Sequence, residues 1–493
     1  MKNLYLLTAS ILFSFSTFAQ IQIGKDIDGE AAGDFSGKSV SLSSDGSTVA
    51  IGALVNHGNG FASGHVRIYK NQSGTWTQLG KDIDGEVGGD NSGCSVFLSS
   101  DGSTVAIGAY GNDGNGSQSG HVRIYQYQSG TWTQLGNDIN GEATADQSGC
   151  AVSLSSDGSI VAIGAYGNDG NGFASGHVRI YKNQSGTWTQ LGKDIDGEVG
   201  GDNSGEAVTL SSDGSIVAIG ARGNGGNGSR SGHVRVYQYQ SGTWTQLGKD
   251  IDGEATFDES GRTVSLSSDG SILAIGSTGN DGNGNGSGHV RIYQYQSGTW
   301  AQLGKDIDGE DSLDISGYSV SLSSDGHTVA IGAPNNDGNG NASGHVRIYQ
   351  YQSGIWTQLG KDIDGEDARD NSGWSVSLSS DGSVVAIGAP INDDIGVDAG
   401  HVRVYKTVGG NAGISALKSE FTIYPNPTSK ELMIKVESNL LGSVYTIIGP
   451  LGQKVKEGKL TSSMSPIDVS TLPKGYYILK IGETNGTYKF QVQ

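Results

Sequence analysis

Cysteine is nearly absent from this chain of 493 residues. The two present, Cys94 and Cys150, cannot build a disulfide framework. They hold the same position in neighbouring repeats, and the limit of about 7 Å between bridged Cα atoms argues against a bond between them. Proline is scarce as well, at 7 residues beside 82 glycines. The glycines sit at fixed positions beside turn partners, which excludes a collagen or proline-rich linker. Basic residues are outnumbered: Lys and Arg total 31, Asp and Glu 51, a net charge of −20. An acidic surface of this size repels nucleic acid and anionic bilayers. No stretch is long and apolar enough for a membrane-spanning helix, and none has helical periodicity. Also missing are the G-x-S-x-G elbow, H-E-x-x-H, a phosphate-binding loop and C-x-x-C.

What is present is one unit written seven times. Its middle reads SVSLSSDGSTVAIGA, Ser39 to Ala53. The turn aspartate recurs at Asp45, Asp101, Asp157, Asp213, Asp269, Asp325 and Asp381, always 56 residues apart. A fixed period of this size means a propeller, solenoid or array. Within the second copy, CSVFLSS, STVAIGA, HVRIYQY and TWTQLG read as four alternating strands joined by turns and one long loop. Such a sheet cannot bury both faces alone. Stacked radially, Val105 and Ile107 face one neighbour, while Ala106 and Gly108 admit the other closely. Trp76, Trp132, Trp188, Trp244, Trp300 and Trp356 fall in the outer strand and are expected to pack between blades.

The ends of the array predict closure. The seventh copy stops after HVRVYK, His401 to Lys406, without its fourth strand. Residues Gln20 to Gly24 read as a fourth strand without a first three. The expected fold is therefore all-β, a seven-bladed propeller over 20–409 closed by its N-terminal strand. Residues 1–19 read as a signal peptide: Lys2, an apolar core from Leu4 to Phe18, and cleavage after Ala19. Residues 410–420 read as a linker. Residues 421–493 have less glycine and more lysine, and read as short strands of a small Ig-like β-sandwich.

Two resemblances follow from particular residues. The segment SGWSVSLSSDGSVVAIGAPINDD to AGHVRVYK, Ser372 to Lys406, resembles the FG-GAP repeats of integrin α-subunit propellers, with Gly332-Ala333-Pro334 and Gly388-Ala389-Pro390 as strand endings. The phenylalanine of that motif is serine in every copy. The resemblance implies extracellular adhesion and ligand recognition. The family's calcium loop has shrunk here to Ser43-Ser44-Asp45-Gly46, too few oxygens for calcium. The acidic run Asp26-Ile27-Asp28-Gly29-Glu30 recurs but lacks calcium-loop spacing and reads as a solvated turn. No cofactor is expected, and calcium stays an alternative that no complete loop supports. Residues 421–493 closely resemble the type A sorting domain of the Bacteroidetes type IX secretion system, through Tyr424-Pro425-Asn426-Pro427, Gly452-Gln453-Lys454-Val455 and Leu472-Pro473-Lys474-Gly475-Tyr476-Tyr477. That resemblance implies the secretion machinery as a partner, removal of the domain, and release or attachment to surface lipopolysaccharide. The expected address is extracellular or at the outer-membrane surface.

A catalytic site must break sevenfold symmetry, because chemistry needs different groups in one place. His65, His121, His177, His233, His289, His345 and His401 share one repeat position, so a structural role is expected. The position entering the innermost strand does vary: Lys38, Cys94, Cys150, Glu206, Arg262, Tyr318, Trp374. So does the position after the second strand: Leu54, Tyr110, Tyr166, Arg222, Thr278, Pro334, Pro390. In a closed ring the first set lines the channel mouth, with Arg262, Tyr318 and Trp374 as a cationic and aromatic arc for a ligand. The expectation is a binding or adhesion protein for an extracellular glycan or protein, without catalysis, since Glu206 is the one carboxylate in that ring. The alternatives are a secreted hydrolase or lyase, marked by an acid or base of shifted pKa at the mouth, and a self-associating matrix protein.

Overall fold

Each repeat folds as an antiparallel sheet because its apolar residues alternate and its turns carry the required glycines. In the second blade the strands, from the inside outward, are Ser95–Leu98, Thr104–Ala109, His121–Gln128 and Thr131–Gln134. The structure is a computed structural model and describes residues 20–407, together with 421–424, 430–436, 443–449, 453–462, 464–481 and 487–492. The expected signal peptide with its cleavage after Ala19, and the linker from 410 to 420, lie outside the described residues.

Seven such sheets close into a ring, and one set of hydrogen bonds proves it. The amide of Ser44 donates to the carbonyl of Ser100 at 2.9 Å, Ser100 to Ser156, and so on round the axis. The last link runs from Ser380 back to Ser44 at 2.9 Å. This is why the S-S-D-G turn does not vary. Its second serine belongs to the ring, and its aspartate holds the turn: Asp101 accepts from the Ser99 hydroxyl at 2.7 Å and the Ser103 amide at 2.9 Å. At Gly108 the next blade comes so close that a Cβ would lie 1.9 Å from the carbonyl of Gly149. Only glycine fits such an approach.

Neighbouring blades share cores. Ala50, Val66 and Ile68 of the first blade pack with Val105, Ile107 and Trp132 of the second. The Trp132 indole also donates to the carbonyl of Leu79 in the preceding linker at 2.7 Å. The N-terminal strand Ile21–Gln22 pairs with the last propeller strand, Ile21 opposite Lys406 and Gln22 opposite Tyr405. The K-D-I-D-G-E linker differs from the polar loop expected of it. Ile83–Asp84 forms a two-residue strand against His65–Val66. Ile83, the apolar residue of that run, is buried there and anchors it.

The second compact unit, Asn411–Gln493, contains two small sheets. One orders Phe421–Tyr424, Glu431–Val436 and Met464–Asp468; the other Lys454–Lys459, Val444–Ile448, Gly475–Ile481 and Thr487–Val492. Leu432, Ile434 and Ile467 of the first join Ile447, Tyr477 and Leu479 of the second in one core. Of the expected sorting motif, Tyr424 ends a strand and Gly475 and Tyr476 begin one, while Pro425, Asn426 and Pro427 lie outside the described residues.

Candidate functional site

The variable position entering each innermost strand does face the channel mouth. Lys38, Cys94, Cys150, Glu206, Arg262, Tyr318 and Trp374 line one cavity of about 530 Å³, with Leu54, Tyr110 and Tyr166 above them. The opposite end of the channel is lined by the repeated serine and aliphatic side chains of the S-L-S-S segment and has no such variety.

Five of the seven residues form a continuous chain across consecutive blades. Glu206 is gripped by two guanidiniums, Arg262 and Arg222. Arg262 donates to the Tyr318 hydroxyl at 3.1 Å and lies 4.9 Å from the centre of that ring. Tyr318 and Trp374 meet with centroids 4.7 Å apart, tilted by 55°. The Lys38 ammonium sits 3.8 Å over the Trp374 ring. Arg222 also approaches Glu259 at 3.7 Å, and Glu259 pairs with Arg230 at 2.5 Å. Sequence reasoning placed Arg262, Tyr318 and Trp374 together but missed Lys38 and Glu206 as the ends of the same chain. Both stand in the same alignment column, so the signal was there.

Burial shapes the chemistry of this mouth. Lys38 loses hydration, and the Arg262 charge opposes its own, so its amine falls to about 8. A group poised near neutrality inside a cavity is a candidate acid or base. Cys94 and Cys150 are free thiols. Burial pushes Cys94 up to about 11 and Cys150 higher still. Each donates to backbone carbonyls of its own and the next blade, Cys94 to Gly108 at 3.2 Å and Gly149 at 3.4 Å. They are packing groups, protonated and unreactive.

The repeated histidines are buried, yet they have company the alignment did not reveal. His65 Nδ1 lies 3.8 Å from Glu30 and 4.0 Å from Asp82. Arg67, two residues on, donates to the Asp28 carbonyl at 2.6 Å and faces Glu30 at 3.7 Å. The group recurs round the ring. Glu30 comes from one linker and Asp82 from the next, 52 residues apart, so no short motif marks it.

Against known proteins, residues 422–493 match the family of secretion system C-terminal sorting domains. The chain is a secreted protein. Its address at the cell exterior and outer-membrane surface, and its dealings with the secretion machinery, rest on that domain. Among the described residues no helix is long and apolar enough to cross a membrane. A search of curated proteins found no match, and the resemblance of the propeller to FG-GAP repeats is not shown by these comparisons. Solved structures similar to the chain include a periplasmic gluconolactonase of Pseudomonas aeruginosa, 17% identical with a TM-score of 0.47, covering 66% of this chain and 84% of that one. Another, from Bacteroides uniformis, was proposed to be a 6-phosphogluconolactonase: 14% identical, TM-score 0.47, covering 67% and 86%. The expectation of a propeller without catalysis is corrected at this point. Both similar solved structures carry lactonase names, and a count of carboxylates alone did not weigh the other titratable groups of the mouth.

Proposed function

We propose that the channel mouth is a hydrolytic pocket for a small polar ester or lactone, with Lys38 as general base. The observation that supports it is the placement of an amine near neutrality and a guanidinium, Arg262, in one cavity, with the Tyr318 and Trp374 rings between them. Neutral Lys38 takes a proton from water as the water oxygen attacks the carbonyl carbon. The carbonyl oxygen becomes an oxyanion, which Arg262 stabilises. The carbon–oxygen ester bond then breaks, and the departing alkoxide takes the proton from Lys38. Glu206 positions both arginines. Tyr318 and Trp374 offer ring faces to the apolar side of a sugar-like substrate. Export by the type IX route, removal of 421–493, and release or attachment to surface lipopolysaccharide complete this reading.

The test is a panel of aldonolactones and aryl esters on the full chain. Hydrolysis should rise with pH through about 8, the value of Lys38, and fall at least about 100-fold in Lys38→Met, the scale of general base catalysis. Turnover unchanged in Lys38→Met would refute the role of Lys38. The aromatic arc favours a second reading, recognition of an extracellular glycan or protein. Glycan binding that is lost in Trp374→Ala/Tyr318→Ala, with unchanged melting temperature and no turnover of any ester, would establish that reading instead.

A further inference from the structure

One of the seven histidine groups departs from the others. In the first six blades, the position seven residues before the histidine is glycine: Gly58, Gly114, Gly170, Gly226, Gly282 and Gly338. In the seventh it is Asp394. There the group becomes His401 with three carboxylates, Asp26, Glu366 and Asp394, one ligand atom from each lying within 4.8 Å of every other. Four separate segments contribute. Asp26 belongs to the N-terminal stretch, Glu366 to the linker entering blade seven, Asp394 to its long loop and His401 to its last strand.

Two features point to a cation site. His401 is fully buried and, as at His345, neither ring nitrogen has a hydrogen-bond partner. Its Nδ1 is aimed between Glu366 Oε2 at 4.0 Å and Asp394 Oδ2 at 3.9 Å. These gaps are too long for hydrogen bonds. Tetrahedral ligands about 2.0–2.2 Å from one ion lie about 3.3–3.6 Å apart, a few tenths of an ångström less than these gaps. Glu366 and Asp394 are about half exposed, so their side chains can close in by a few tenths of an ångström, and water can complete the coordination. The charges agree as well. Three carboxylates carry three negative charges, and Arg403, 3.5 Å from the other oxygen of Glu366, offsets one. Two remain. In the first blade the corresponding group, Glu30 and Asp82 beside Arg67, retains one. Asp26 is oriented by a hydrogen bond from the Gln22 amide, within the strand that closes the ring.

We propose that Asp26, Glu366, Asp394 and His401 bind one divalent cation that clamps the N-terminal strand to the last blade. The imidazole selects a transition ion, zinc or manganese, over calcium, which takes oxygen ligands. The clamp is specific to blade seven, the blade assembled from both ends of the chain.

The test uses the full chain, stripped with a chelator and titrated with zinc and with manganese by calorimetry. The expected result is one tight equivalent and a melting temperature raised by several degrees, because an ion bound to the folded state alone stabilises it. Asp394→Gly restores the residue of the other six blades, so it should fold. It should bind at least about tenfold more weakly and lose the thermal gain, while its melting temperature in chelator stays that of the unmodified chain. Asp26→Asn should also weaken binding. The proposal is overturned if the full chain binds neither ion more tightly than Asp394→Gly does. It is equally overturned if about seven equal equivalents bind in both.

Discussion

Acid should open the propeller, and the histidines set where. His121 is buried beside Arg123, and both effects hold its folded-state pKa at about 4 against an ordinary value of 6.5. The direction is the same at His65, His177 and His233. A lowered histidine pKa means that the unfolded chain binds more protons than the folded one between those values. Stability is therefore full above about 6.5 and declines as pH falls toward 4. At pH 5 the two values for His121 imply a loss of about 2 kcal/mol relative to neutrality, from about 1.4 kcal/mol per pKa unit. The site recurs in every blade, and a domain holds about 5–15 kcal/mol in all. The ring should therefore lose cooperative structure well before its carboxylates are neutralised. The assay is urea unfolding followed by tryptophan fluorescence at half-unit steps from about pH 7.5 to 4, with His121→Gln in parallel. The variant should be weaker at neutral pH and show a shallower slope below 6.5, by about the contribution of one site. A midpoint unchanged down to about pH 4.5 would refute the reasoning. So would an identical slope in the variant.

Two further outcomes follow from packing. Trp132→Ala should cost about 3–5 kcal/mol, the range for a buried tryptophan, because its ring sits in the core between blades one and two and its indole bonds the Leu79 carbonyl. Urea titration reads this, and a cost below about 1 kcal/mol would contradict it. With its pKa pushed to about 11, Cys94 should be about one part in a thousand thiolate at pH 8. A disulfide-exchange reagent should therefore label it rapidly in urea and barely at all in the native chain, and rapid native labelling would show that the site is open.

What could be read from the sequence divides along a physical line. The blade, the number of blades and the closing strand follow from repetition and alternation, which are local and additive. Ile21 and Gln22 pair with Lys406 and Tyr405 as the missing fourth strand requires. The arc of Arg262, Tyr318 and Trp374 was also legible, because equivalent positions on consecutive blades must be neighbours in a closed ring. The linker strand Ile83–Asp84 was not, since two residues carry no period. The protonation of Lys38 was not either. It depends on how far the mouth excludes water and on a guanidinium from three blades away round the ring, and neither is a property of any window of sequence. The Glu–His–Asp groups were hidden in the same way. Each is assembled from segments that the alignment treats as separate columns.

One end of the mouth's side-chain chain and the four-ligand histidine group lie at one seam. Trp374 belongs to blade seven and Lys38 to blade one, so the ammonium–indole contact at 3.8 Å crosses the junction where the ring closes. The backbone bond from Ser380 to Ser44 crosses the same junction at the other end of the channel. Blade seven is in turn held together by a strand from the far end of the chain, with Asp26 and His401 beside it. A looser seam would leave the other six blades packed as before, yet it would shift Lys38 against Trp374 and admit water around the amine. Hydration restores a lysine toward its ordinary value near 10.4, so that at about pH 8 almost none of it would be neutral and the proposed reaction would lose its base. Closure of the ring and the protonation of Lys38 are thus coupled through one pair of side chains. A scaffold of near-identical copies can place a distinctive site at such a seam without disturbing the remaining blades.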